Sequence, residues 1–175
     1  MIPMPEVVTH RYDPIRGACR NICSLPEDEA LRVLDRLRKE SRPKLKADYL
    51  YRRLFTEKWL TQAASDVLGR SLESPPVYFF LGDFSYFPDI SRPASLVVPV
   101  SSLPANAMTF TLGDSMSVAK TAMRCLYTLA ELKTVFADES GVASFGLSDK
   151  TGFQTRFVEM QLWDGAVMSH SGVMP

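Results

Sequence analysis

Two consecutive prolines, Pro75 and Pro76, constrain this 175-residue chain more than any other feature. Proline fixes φ, removes a backbone donor and pushes the residue before it out of the helical region, so no helix crosses the pair. On the N-terminal side apolar residues recur at helical spacing. On the C-terminal side they come in short runs bounded by Gly, Asp, Ser and Pro. Those are the periodicities of helix and strand respectively. Ser24-Leu25-Pro26-Glu27 has the form of a capping box, and Ala30, Leu31, Leu34 and Leu37 follow it, so an amphipathic helix is expected over 25–40. Pro43 ends it. A second helix is expected from Asp48 to Leu68, with Leu50, Leu54, Phe55, Trp59, Ala63 and Val67 inward and Gly69 as its C-terminal cap.

Beyond the prolines, Val77–Leu81, Ala94–Val100, Met108–Leu112 and Phe157–Trp163 read as strands, and Val7-Val8-Thr9 as a short opening strand. Thr128-Leu129-Ala130-Glu131 is a second capping box, starting a short helix to about Phe136. Residues 82–93 and 138–155 hold the Gly, Asp, Ser and Pro of loops. The pattern is α+β: an N-terminal helical pair, then a mostly antiparallel sheet of about 4–6 strands with a short helix. The length suits one domain, with a helical layer over 1–75 and a strand-rich layer over 76–175.

Composition excludes more than it selects. Lys and Arg number 20, as do Asp and Glu, so no overall charge points to nucleic acid or a membrane. The balance is uneven along the chain: residues 1–75 carry 14 basic and 11 acidic side chains, residues 76–175 carry 6 and 9. Three cysteines at 19, 23 and 125 make no disulfide framework and fit reduced thiols in the cytoplasm. Zinc needs four ligands, and only His10 and His170, distant in sequence, accompany those thiols, so no metal site is expected. No run reaches the ~18 apolar residues of a membrane span. The opening MIPMPEVVTHRYDP lacks the basic-then-apolar form of a signal peptide. The glycine-rich phosphate loops, the dinucleotide fingerprint, zinc-protease and serine-hydrolase signatures are all missing.

Four places carry residue types suited to chemistry. On the last strand alternate side chains split into Val158, Met160 and Leu162 on one face and Phe157, Glu159, Gln161 and Trp163 on the other. A carboxylate between aromatics and an amide suits a cleft that stacks a ligand and stabilises positive charge. A half-exposed face with Glu159 hydrated or paired to Arg156 fits the same pattern. His10-Arg11 beside Tyr12 can hold a phosphate or ribose hydroxyl, or form a surface pair. Tyr78 can stack on a ligand or fill a core. Leu81-Gly82-Asp83 and Leu112-Gly113-Asp114 repeat a Leu-Gly-Asp form that is turn chemistry, with a cation site as the alternative. Finally, residues 32–58 have a net charge of +6, and Tyr49, Tyr51, Phe55 and Trp59 interleave with Arg42, Lys44, Lys46, Arg52 and Arg53. Such a stretch can follow a phosphate backbone and stack bases, bind an acidic partner, or be a solvated helix face.

The order His10, Tyr78, Glu159 on first, middle and last strands resembles the His-Tyr-Glu arrangement of ADP-ribosyltransferase-like folds. The stretch 77–167 is similar to the DNA-modifying ADP-ribosyltransferase toxins at Tyr78-Phe79-Phe80, at Phe110-Thr111-Leu112-Gly113-Asp114 and at Thr155-Arg156-Phe157-Val158-Glu159. The resemblance covers about half the chain. It implies NAD as cofactor, with His10 and Arg11 positioning it, Tyr78 stacking on nicotinamide, Phe157, Gln161 and Trp163 lining the site, and Glu159 supporting transfer. Two departures stand beside it: Phe157 replaces the Gln or Glu found two before the glutamate in arginine-modifying members, and 68 positions separate His10 from Tyr78. Two further readings use no cofactor. One is a binding or adaptor domain working through 32–58. The other is an accessory protein pairing as a homodimer, for which eight methionines and exposed aromatics supply an adaptable surface.

Overall fold

The structure, a computed structural model, describes residues 3–121, 125–138 and 157–164. The expected loop over 138–155 lies almost wholly outside the described residues, as do Arg156 and His170. Among the described residues five strands form one antiparallel sheet: β1 (Val7–Tyr12), β2 (Val77–Leu81), β3 (Ala94–Pro99), β4 (Met108–Leu112) and β5 (Val158–Leu162), in the order β3-β1-β2-β5-β4, and four α-helices accompany it: α1 (Glu27–Glu40), α2 (Tyr49–Leu68), α3 (Ser115–Val118) and α4 (Leu129–Ala137). The fold is α+β. The opening strand is longer than its three-residue expectation and lies between β3 and β2, so residues 1–75 do not form a purely helical layer.

Register decides which side chains meet. Phe79 sits opposite Met160 and Met160 opposite Phe110; Val8 sits opposite both Leu81 and Val98. Together with Val77, Val158, Leu162 and Met108 these line one face, and Leu132 and Phe136 of α4 close over it. Val158, Met160 and Leu162 therefore do face the core. The opposite face carries Tyr78 and Phe80, Glu159 and Gln161, Thr109 and Thr111. Helix α2 lies on that polar face, with Leu60 and Ala64 packing against Leu72 and Trp163. Helix α1 covers the start of α2 through Ala30, Leu34 and Leu50.

The polar character of the sheet face dictates how α2 is turned. Its buried positions are Leu50, Arg53, Thr56, Glu57, Leu60 and Ala64, whereas Leu54, Phe55 and Val67, expected inward, are 41%, 58% and 39% exposed. The helix offers two stripes with apolar members, and the stripe that also holds an Arg–Glu pair is the one able to satisfy Tyr78 and set a cation near the β5 carboxylate. The helix ends as expected, with Gly69 at φ +66° in the left-handed conformation that glycine adopts without strain.

The two capping boxes fare differently. At α4 the Thr128 hydroxyl accepts the Glu131 amide at 3.2 Å and the Glu131 carboxylate accepts the Thr128 amide at 2.7 Å. At α1 the box is not formed: Ser24 ends a short 3-10 turn capped by Asn21, and Pro26 occupies the N-cap with no side-chain bond. Pro26 holds the residue before it, Leu25, in an extended conformation (ψ 151°), so the helix starts at Glu27, two residues later than a Ser24 cap would start it. Both Leu-Gly-Asp repeats are turns, with Gly82 at φ +114° and Gly113 at φ +108°. Asp83 accepts from Ser85, and Asp114 caps α3, a helix the sequence pattern did not announce. Accordingly, Thr128→Ala is expected to cost about 1 kcal/mol of unfolding free energy in urea titrations, and Ser24→Ala less than about 0.5 kcal/mol.

Candidate functional site: a buried polar cluster between helix and sheet

Arg53 and Glu57 are one helical turn apart on the inward side of α2, so their side chains can meet. Arg53 Nε donates to Glu57 Oε1 at 3.2 Å, and the guanidinium carbon lies 4.0 Å above the centre of the Tyr78 ring. The same Oε1 accepts the Tyr78 hydroxyl at 2.8 Å and the Asn21 side-chain amide at 3.1 Å. Asn21 also donates to Pro76 O at 2.9 Å, tying the turn before α1 to the double-proline segment. Across the cluster Arg53 Nη1 lies 3.4 Å from Ser115 Oγ, and the Ser115 amide donates to Glu159 Oε1 at 3.3 Å.

From Glu159 the network runs along the sheet. Gln161 Nε2 donates to Glu159 Oε1 at 3.2 Å and to Thr111 Oγ1 at 3.0 Å. Thr109 donates to Gln161 Oε1 at 3.1 Å and accepts Trp163 Nε1 at 2.9 Å. Groups from the turn before α1 and from α2, β2, β4, α3 and β5 thus form one hydrogen-bonded chain, buried except at Asn21 and Tyr78, which are half-buried. Within it Glu57 Oε2 is buried with no hydrogen-bond partner.

Burial governs the protonation of this cluster. It pushes the Glu159 carboxyl up to about 7, against the pull of Arg53 and of the Ser115 amide. It raises the Tyr78 hydroxyl well above its ordinary value, with Arg53 opposing and Glu57 and Glu159 reinforcing. The Cys23 thiol rises to about 12 through burial and the nearby Glu57 charge, which makes it a poor nucleophile. For Arg53 burial works toward deprotonation but is outweighed by Tyr78, Glu57 and Glu159, so the guanidinium stays charged. One cation faces two carboxyl groups, and burial brings the titration of Glu159 near neutral pH.

The residues expected to build a nucleotide cleft divide between the two sides of the sheet. Tyr78, Glu159, Gln161 and Trp163 are together. Their face is not an open cleft, however, because α2 covers it: Trp163 and Gln161 are fully buried and Glu159 is 8% exposed. Phe157 packs edge-on against Phe80, 4.9 Å between ring centres, at the margin of the cluster. His10 points the other way, into the apolar core, with its ring 5.2 Å from that of Phe79. Its Nε2 accepts the Cys19 amide at 2.9 Å, so Nδ1 carries the proton and donates to Tyr78 O at 2.8 Å. Burial lowers its pKa, leaving a neutral ring with both nitrogens engaged. Arg11 is buried too, giving Nε to Arg92 O and Nη1 to Phe84 O and Ser85 O, which holds the 82–93 loop.

The basic stretch also divides. Arg53 is inside the cluster and absent from the surface. Arg32, Arg36 and Arg38 pair with Asp28, with Asp13 and Glu40, and with Asp35. Arg42, Lys44, Lys46, Arg52 and Lys58 make no ion pair among the described residues. Tyr51 beside them is 64% exposed. A cavity of about 170 Å³ between α2 and α3 is lined by Tyr51, Arg52, Phe55, Met116 and Lys120. A broader groove of about 710 Å³ runs beside the end of α2 past Lys58, Gln62, Ser65 and Arg70. Neither is lined by Glu159 or Tyr78.

Glu57, Asn21 and Ser115 were not singled out by sequence reasoning. A signal for Glu57 exists: 50, 53, 57, 60 and 64 alternate by three and four, which places a charged pair on the same stripe as Leu50, Leu60 and Ala64. Asn21 and Ser115 act through turns whose approach to the cluster is set by tertiary packing. No protein-family model, no curated protein and no solved structure matches the chain.

The cluster predicts a pH dependence. With its folded pKa raised from 4.5 to about 7, Glu159 favours the folded state fully below the lower value, and that contribution is lost as pH rises through the higher. At about 1.4 kcal/mol per unit the loss amounts to about 3 kcal/mol. His10, with a lowered pKa, works oppositely and removes stability as pH falls through 6.5. Urea titrations across pH 4–9 are expected to show a Glu159-dependent decline as pH rises from about 4.5 through about 7, level above that, and Glu159→Gln is expected to remove this decline while keeping the opposite loss that His10 causes as pH falls.

Proposed function

We propose that this chain is a non-catalytic binding module that holds single-stranded nucleic acid on the α1–α2 connection and the outward side of α2. The observation that carries this reading is the division of α2 into two sides. Its polar pair is consumed inside, while Tyr51 stands exposed next to Arg52 and a few residues after a connection bearing Arg42, Lys44 and Lys46. Arg38 donates to the carbonyls of Leu45 and Lys46, which holds that connection in place and leaves the Lys44 and Lys46 side chains exposed. At 1.5 Å per residue, Tyr49 to Lys58 covers about 14 Å of helix. Several phosphates and one or two stacked bases fit along it. Cations without internal partners bind phosphates with release of counterions, and an exposed ring stacks any base.

Fluorescence anisotropy with a labelled oligothymidine tests this. Saturable binding is expected, with the logarithm of affinity falling linearly against that of salt at about 0.7 per phosphate contacted. Tyr51→Ala is expected to weaken it about tenfold, in line with roughly 1–3 kcal/mol per stacked base. Lys44→Glu with Lys46→Glu is expected to weaken it further. Equal binding of polyglutamate, indifferent to Tyr51→Ala, would move the reading to an acidic protein partner. No binding of either at low salt overturns it.

The ADP-ribosyltransferase reading keeps one observation in its favour: Tyr78 and Glu159 share a sheet face and both interact with Arg53. Against it stands the His10 ring, which lies on the other face with both nitrogens bonded. Calorimetric titration of NAD decides. Saturable heat that changes in Glu159→Gln supports it, and no heat up to about millimolar NAD retires it.

A further inference from the structure

The sheet has two edges, and the chain treats them differently. The outer side of β4 is covered: Phe110 and Tyr127 exchange both backbone hydrogen bonds at 2.9 Å. The outer side of β3 has no backbone partner among the described residues. Which groups it presents follows from the ladder. Val100 donates to Glu6 O at 2.8 Å and Gly82 donates to Val7 O at 2.8 Å. Even-numbered residues of β1 therefore bond β3 and odd-numbered ones bond β2. In β3 the groups engaged with β1 belong to Ala94, Leu96 and Val98, and those of Ser95 and Val97 point outward.

Soluble proteins blunt a free edge with lysine, with proline, with an inward charge or with a bulge. Here proline alone is used, at 93 and 99: residues 93–102 read PASLVVPVSS, without a charge, and every residue of β3 is in register with β1, which leaves the stretch between the two prolines open. Val97 is 38% exposed. Pro93 and Pro99 flank the outward pair and, lacking N–H groups, leave one short register available.

We propose that β3 pairs antiparallel with β3 of a second copy of this chain, about a two-fold axis through Leu96. That axis sets Ser95 of each copy opposite Val97 of the other. Two outward N–H and two outward C=O groups per copy then close four hydrogen bonds, and the two sheets continue as one of ten strands. A two-fold contact needs a self-complementary patch, and a strand whose outward residues lie symmetrically about its centre is one. The loop entering β3 carries Tyr86, Phe87 and Ile90 at 78%, 51% and 82% exposure. Antiparallel pairing brings each of these loops toward the partner copy's exposed Pro99, Ser101 and Ser102, which extends the contact beyond the strand. The pairing does not involve the α2 surface and stands independently of the nucleic-acid reading.

Size-exclusion chromatography with light scattering, from about 1 μM to about 1 mM protein, tests the proposal. The wild type is expected to reach twice the chain mass. Val97→Pro and Ser95→Pro each delete an outward N–H without touching a β1 hydrogen bond. Each is expected to raise the dimer dissociation constant at least tenfold while leaving the circular dichroism unchanged. Val97→Thr retains the N–H and is expected to dimerise as wild type, and Val97→Lys, a change confined to an exposed side chain, checks the result should a proline variant misfold. A wild type monomeric throughout the range overturns the proposal. So does a dimer whose constant is unmoved in the folded variants.

Discussion

The contact on which the rest of this structure depends is the buried ion pair of Arg53 and Glu57 against the ring and hydroxyl of Tyr78. A helix laid on a polar sheet face must bring its own hydrogen-bonding groups, because burying unpaired ones costs several kcal/mol. The pair fixes the rotation of α2 about its axis. That rotation seats Leu60 and Ala64 on Trp163 and turns Tyr51, Leu54 and Phe55 to the surface. Breaking a buried pair by removing one partner typically costs about 3–5 kcal/mol, since the other charge is then stranded. Here the stranded group would be either a guanidinium over a tyrosine ring or a carboxylate already holding one unsatisfied oxygen.

Much of the architecture is legible in the sequence because it rests on short-range rules. Val77–Leu81 is an apolar run and Met108–Leu112 alternates apolar residues with threonine, both between turn residues, and their limits need no tertiary information. Thr128 and Glu131 satisfy each other locally, so their box forms wherever the helix goes. Ser24 and Glu27 share the same spacing, yet Pro26 between them starts the helix and the box is lost. The inward stripe of α2 is not legible in the sequence because apolar residues occur on both sides of the helix. Only the sheet face beneath it selects between them.

The cluster was half legible. Alternation along β5 correctly separates Glu159 and Gln161 from Val158, Met160 and Leu162, and this depends only on the two-residue period of a strand. Whether that second face is open or covered depends on a helix about a hundred residues earlier, and periodicity carries no such information. His10 and Tyr78 illustrate the limit: both lie on strands in the expected order, but their side chains leave opposite faces of the sheet. Order along the chain does not fix the side of the sheet, and Arg11, expected near a ligand, is spent on three loop carbonyls.

The contrast between the two sheet faces also sets how this chain can vary over generations. Under α4, Val8, Phe79, Met160 and Phe110 meet as shapes, and interiors of that kind accept exchanges that conserve volume one residue at a time. Under α2, each hydrogen bond names its counterpart, so a change at Tyr78 is tolerable only with a matching change at Arg53 or Glu57. One side of the sheet is free to drift singly. The other is bound to drift in company, and a lineage that abandons one member of the cluster has to replace the rest.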